Sequence, residues 1–233
     1  MIRLRVVGLA LVVVFAMSAM VASAAFGASE FQVESGHTLK GTTIKGTGGT
    51  AKFETEGGEK IECEKSSSNG EVEKATVAKV TVTYSGNCHA TGSLVSGPCE
   101  NGSKDIKTNA LTISPGEKLG PGSSTTNIGL RFTATVLAKF KCETTPFGAE
   151  VEVKGNLVCE SVGKNVGPSS EFLTTGEVVC TQSSAGIQKF TEIEIGTKKE
   201  TKQELSASVF GISEKDAQTT TEKLTYSQKI RQT

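Results

Sequence analysis

The sequence predicts an all-β protein: an antiparallel sandwich or barrel of many short strands, stapled by up to three disulfides and preceded by a signal peptide helix. Three observations lead there. Apolar residues recur with a period close to two, clusters of Gly, Pro, Ser and Asn punctuate the runs, and six cysteines follow an export signal.

The N-terminus sets Arg3 and Arg5 before an apolar stretch from Val6 to about Met17, and small residues then lead to Ala22-Ser23-Ala24. This is the pattern of a signal peptide over residues 1–24, with cleavage leaving 25–233. The apolar run is shorter than the ~20 residues that span a bilayer. No cysteine follows the cut to carry a lipid. The expectation is a secreted or envelope-associated protein with no stable membrane span after cleavage.

Half-buried strands come next. Val80-Thr-Val-Thr-Tyr84, Leu130-Arg-Phe-Thr-Ala-Thr-Val136 and Glu150-Val-Glu-Val-Lys154 alternate apolar with polar side chains, giving one face to a core and one to water. Turns are expected at Glu56-Gly57-Gly58, Ser85-Gly86-Asn87, Gly97-Pro98, Ser114-Pro115-Gly116, Gly120-Pro121-Gly122 and Gly167-Pro168. Gly46-Thr-Gly48-Gly49 lacks the Lys and Ser or Thr of a phosphate loop and reads as a flexible turn. The nearest approach to a helix is Ser213 to Ala217, one turn at most. The Gly, Pro and Ser-rich stretch from Ser114 to Asn127 is the best internal break. The expected organisation is one sandwich-like domain over 25–233, with 30–114 and 127–233 as the alternative pair. Ala51-Lys52-Phe53 ahead of Cys63 is echoed by Ala138-Lys139-Phe140 ahead of Cys142.

With 25 basic and 25 acidic side chains, loss of Arg3 and Arg5 leaves a faint negative charge, and Lys is interleaved with Glu as in Lys198-Lys199-Glu200. Without a basic stripe or stacking aromatics the chain is not read as a nucleic-acid binder. It has no Trp and only Tyr84 and Tyr226, which weakens a sugar-stacking reading and leaves the core to Val, Ile, Leu and ten Phe.

Cys63, Cys88, Cys99, Cys142, Cys159 and Cys180 all lie beyond the signal. No Cys-x-x-Cys occurs, so zinc and thioredoxin-type redox chemistry give way to disulfides. The favoured pair is Cys88 with Cys99, because the turn-rich segment between them could close as a loop worth roughly 3 kcal/mol.

Catalytic signals are sparse. The titratable candidates are His37, His89, Asp105 and Asp216, without the Gly-x-Ser-x-Gly elbow that presents a nucleophilic serine. Glu150 with Glu152 and Glu192 with Glu194 each share a strand face, but their alternation with Val and Ile is that of a solvated strand. No catalytic residue, metal ligand or cofactor is assigned. Asn101-Gly102-Ser103 is a glycosylation sequon.

The run from Tyr84-Ser85-Gly86-Asn87-Cys88 through Pro98-Cys99, with a Phe-to-Cys module before it and the Leu119-Gly120 turn after, resembles a group of uncharacterised exported proteins found as multiple paralogues in some actinobacteria. The resemblance implies a secreted β-rich protein and brings no activity. The leading functional expectation is a non-enzymatic extracytoplasmic protein, an envelope component, adhesin-like module or binder, whose partner is a cell-wall component or another secreted protein. The alternatives are a secreted hydrolase around His89 or the Glu-bearing strands, and a secreted inhibitor inserting the 88–99 loop.

Overall fold

Alternating side chains make strands throughout the computed structural model, which describes residues 29–119, 128–143, 148–167 and 169–233. The signal peptide and the Gly120-Pro121-Gly122 turn lie outside the described residues. In chain order the first strands are β1 (Phe31–Val33), β2 (Thr43–Gly48), β3 (Ala51–Thr55), β4 (Lys60–Cys63), β5 (Lys65–Lys74), β6 (Val77–Ser85) and β7 (His89–Thr91). There follow β8 (Gly97–Glu100), β9 (Ile106–Lys107), β10 (Leu111–Leu119), β11 (Ile128–Thr133), β12 (Ala138–Cys142), β13 (Ala149–Val162) and β14 (Leu173–Cys180). The last are β15 (Gln182–Ser184), β16 (Ile187–Gln188), β17 (Glu192–Ile195), β18 (Lys198–Glu200), β19 (Leu205–Val209) and β20 (Ile212–Gln232). The expected alternation holds: Val80, Val82 and Tyr84 are buried while Lys79 is exposed.

Followed from neighbour to neighbour, the antiparallel pairings return to their start twice. One ring runs β2, β5, β6, β10, β11, β13, β14, β20 and back to β2. The other runs β3, β4, β7, β8, β12, β13, β19, β20 and back to β3. Each ring is therefore a closed eight-stranded barrel, the strand number at which side chains just fill the interior. The barrels are joined end to end by the two longest strands. β13 pairs within the second barrel up to Gly155 and within the first from Asn156, and β20 changes over between Thr219 and Thr220. Closure removes most of the open edges on which strands aggregate. Each ring also takes strands from both sides of the 114–127 stretch, and the two echoed segments, Ala51-Lys52-Phe53 and Ala138-Lys139-Phe140, are both strands of the second.

The structure corrects several local expectations. Ser213 to Ala217 is strand, because Ser213, Lys215 and Asp216 pair with Ser208, Ser206 and Leu205 across β19. Ser114-Pro115-Gly116 lies inside β10. Its neighbour on one side is β6 up to Ile113 and β17 from Glu117, so Pro115 sits in the gap where a missing N–H breaks no ladder. Gly116 is bare because a Cβ there would stand 2.6 Å from the Glu194 carbonyl oxygen. The strand expected from Leu130 to Val136 ends at Thr133. Gly46 and Gly48 belong to β2 rather than to a flexible turn. A Cβ on Gly46 would lie 2.0 Å from Ser68 Oγ, and one on Gly48 2.3 Å from Ser66 Oγ.

The outward face of β20 carries Thr221, Lys223, Thr225, Ser227 and Lys229, with Leu224, Tyr226 and Ile230 turned inward. That is the reverse of the apolar belt that a membrane-spanning barrel shows to lipid. Among the described residues, no helix is long and apolar enough to cross a membrane.

The disulfides are Cys63–Cys88, Cys99–Cys142 and Cys159–Cys180, spanning 25, 43 and 21 residues. The expected Cys88–Cys99 pair does not form, and the ladder explains why. Extending the registers of β4, β7, β8 and β12 puts Cys63, Cys88, Cys99 and Cys142 at one level around the second barrel. Cys88 and Cys99 occupy a hydrogen-bonded pair, with the Cys99 N–H donating to the Cys88 carbonyl at 2.8 Å. In an antiparallel ladder that spacing is the wide one, and the closer non-hydrogen-bonded spacing falls on the opposite side of each strand. Cys88 and Cys99 therefore each bond to the neighbour on their other side, with Cα–Cα distances of 4.1 Å for Cys63–Cys88 and 4.0 Å for Cys99–Cys142. Three intramolecular disulfides point to an oxidising, extracytoplasmic environment.

Candidate functional site

Of the residues with catalytic chemistry, the fold brings few together. His37 is exposed in a turn, Asp105 half-buried in the 101–105 turn, and His89 exposed on the outer face of β7 opposite Glu62. Asp216 is 2 % exposed and faces the interior of the second barrel, so the wall separates it from His89. The Glu pairs are surface carboxylates engaged by lysine: Lys139 lies 2.8 Å from Glu150, Lys154 pairs with Glu152, and Lys199 lies 2.9 Å from Glu192. Asn101 of the sequon has its amide committed, donating to the carbonyls of Lys107 and Lys139 at 2.6 and 3.0 Å.

The 88–99 loop is fixed by a carboxylate instead of a disulfide. Glu59, 6 % exposed, accepts the Ser93 amide and hydroxyl and the Leu94 amide on Oε1, and the Val95 amide on Oε2, all within 3.0 Å. Burial pushes this carboxyl up, but the Leu94 and Val95 amides with Ser93 outweigh it and hold it below its ordinary value. Sequence reasoning missed Glu59 because its partners come from backbone 34 to 36 residues away.

Asp216 has no comparable support. Among the described residues neither oxygen makes a well-formed hydrogen bond, and burial pushes its carboxyl up to about 8, outweighing the weak pull of the Ala217 and Glu54 amides. Glu54, on the outer face of the same barrel, shows the contrast. Its bond to Lys52 at 2.6 Å outweighs burial and, with Gln182 and Lys60, brings it to about 2.

Two places stand out as able to hold something. The first is the lumen of the first barrel, where the inward face of β20 sets Gln218, Thr220 and Glu222 against a mainly apolar wall. At the waist between the barrels, Gln218 donates to the Tyr84 hydroxyl at 3.0 Å, and Tyr84 meets Phe53 edge-on with ring centroids 5.0 Å apart. Burial, then the charge of Glu222, drives the Tyr84 phenol well above its ordinary range.

The second is the β19–β20 hairpin at the far end of the second barrel. Val209 pairs with Ile212, leaving Phe210 and Gly211 as a two-residue turn with φ of 51° and 82°. Such turns favour Asn-Gly or Gly-Gly, since both positions are left-handed. Here the first is an aromatic ring that is 61 % exposed, next to Ile212 at 51 %. Beside this tip a surface groove of about 510 Å³ is lined by Lys141, Gly148, Ala149, Glu150, Glu152 and Ser208.

Fold and sites together define the class: an antiparallel double β-barrel cross-linked by three disulfides. Compared with protein-family models, curated proteins and solved structures, the chain gives no match.

Proposed function

We infer that this protein is an exported, non-enzymatic binding module of the cell envelope or the extracellular space, in which the double barrel is a rigid support for the tip Val209–Ile212. The signal-like N-terminus and the disulfides support export. One observation carries the rest: Phe210 is held in a left-handed conformation and most of its ring faces water. A bulky side chain there costs roughly 1–2 kcal/mol that glycine would avoid, and such strain is retained where it serves a contact.

The partner is a protein offering an apolar pocket to Phe210 and Ile212. The mixed charges of Lys141, Glu150 and Glu152 beside the tip suit the polar rim of a protein interface, not a polyanion. Cross-linking the oxidised chain to envelope and secreted fractions should recover one defined partner, and Phe210→Gly should weaken that complex at least tenfold while folding as well or better. A chain that stays free in every fraction, or a Phe210→Gly variant that binds equally well, overturns this function.

A further inference from the structure

A cavity of about 70 Å³ runs along the lumen of the first barrel to the waist, where Phe53, Phe140 and Leu205 of the second barrel also line it; its first-barrel wall includes Val80, Val82, Leu111, Ile113, Leu130 and Phe132. Into it β20 turns Glu222, which is 8 % exposed. Its Oε2 accepts the Ser68 hydroxyl at 2.7 Å, whereas Oε1 is buried with no partner among the described residues. Thr220 Oγ1, on the same inward face, and Ser66 Oγ are likewise buried and unpartnered. Among the described residues, no Lys or Arg pairs with Glu222.

A carboxylate placed this way is unfavourable for a core that only has to be packed, because a buried charge needs a counter-charge and full hydrogen bonding. Leu224, the next inward-facing residue, shows what packing alone uses. The opposite wall is shaped around the carboxylate: a Cβ on Gly46 would stand 2.5 Å from Glu222 Oε2, so the strand is kept bare there. Water could bridge these polar atoms but would leave the carboxylate without a counter-charge.

We propose that the first barrel binds a small aliphatic amine, whose ammonium donates to Glu222 Oε1 and whose alkyl part lies against Val80, Val82, Leu130 and Phe132. The positive head supplies the missing counter-charge, and the apolar body suits the wall. The cavity is about half the ~150 Å³ that takes a benzene, which sizes the ligand at about three to five heavy atoms. The lumen and the hairpin tip are separate sites, and either reading can fail without the other.

The test titrates the oxidised chain at pH 7 with n-butylamine, and with n-butanol as the uncharged counterpart, following methyl resonances by NMR. Butylamine should shift the methyls of Val80, Val82 and Leu130 saturably and bind at least tenfold more tightly than butanol. Glu222→Gln, which keeps the shape, should abolish that preference. Shifts confined to surface residues, no saturation, equal binding of butanol, or a preference that survives in Glu222→Gln would each overturn the proposal. If Glu222→Gln does not fold, the comparison of amine with alcohol on the unaltered chain decides.

Discussion

Outside the two strands they share, the first barrel is built of strands six to ten residues long, from β2 and β11 at the short end to β5 at the long end. The second uses strands of three to five residues, such as β7, β8 and β19. Their interiors differ as well. The first is lined by Val, Ile, Leu, Phe and Tyr with Glu222 as its carboxylate, while the second encloses Glu59 and Asp216 around a void of about 20 Å³. Short ladders and buried acids leave little to hold a barrel together, and there the chain places two of its three disulfides, on adjacent strand pairs around one level. The first barrel has one, between neighbours β13 and β14. Covalent closure is concentrated where hydrophobic closure is weakest.

The sharpest way to probe this contrast is Asp216. Its unfolded carboxyl ionises near 4 and its folded one near 8, so the folded state holds a proton that the unfolded state has lost. Stability should therefore fall as pH rises through that window, by roughly 5 kcal/mol in all, and level off above it. Asp216→Asn removes this loss. Urea midpoints at pH 5 and pH 8.5 should separate for the native chain far more than for the variant, while Glu54 and Glu59 contribute equally to both.

Next in size is the cysteine belt. Replacing Cys99 and Cys142 together with Ser should cost about 4 kcal/mol from the released 43-residue loop. Hydrogen exchange should then rise first in β7, β8 and β12, with the first barrel keeping its protection. Uniform loss would show that the barrels do not differ in the way described. Glu59→Gln should cost about 1–3 kcal/mol and expose the amides of Ser93, Leu94 and Val95 to exchange, leaving the disulfides intact. Smallest is Phe210→Gly, which should stabilise the chain by about 1 kcal/mol, read as a raised melting temperature.

Much of this architecture was legible in the sequence. Alternation in Val80 to Tyr84 and Glu150 to Lys154 identified strands with the correct faces, and six cysteines beyond an export-like N-terminus identified disulfides. What could not be read was anything set by strand order. Which cysteine Cys88 meets depends on which neighbour offers the close, non-hydrogen-bonded spacing, and that requires the ring order of β4, β7, β8 and β12. Ser114-Pro115-Gly116 looked like a turn because its composition is that of one, and only its unbroken pairing with β11, with the change of neighbour from β6 to β17 on the other side sparing Pro115, makes it a strand. The inward polar row Asp216, Gln218, Thr220 and Glu222 is hidden in the sequence for a related reason. Polar residues at alternate positions normally mark the solvent face, and here Thr219 and Thr221 occupy that face instead.

The double barrel and its cysteine belt stand or fall on connectivity. Digestion of the non-reduced protein with a protease that cuts beside Leu94, so that Cys88 and Cys99 fall on separate peptides, followed by mass spectrometry, reads it directly. The ladder predicts Cys63 linked to Cys88, Cys99 to Cys142 and Cys159 to Cys180, and peptides joined through Cys88 and Cys99 would contradict it.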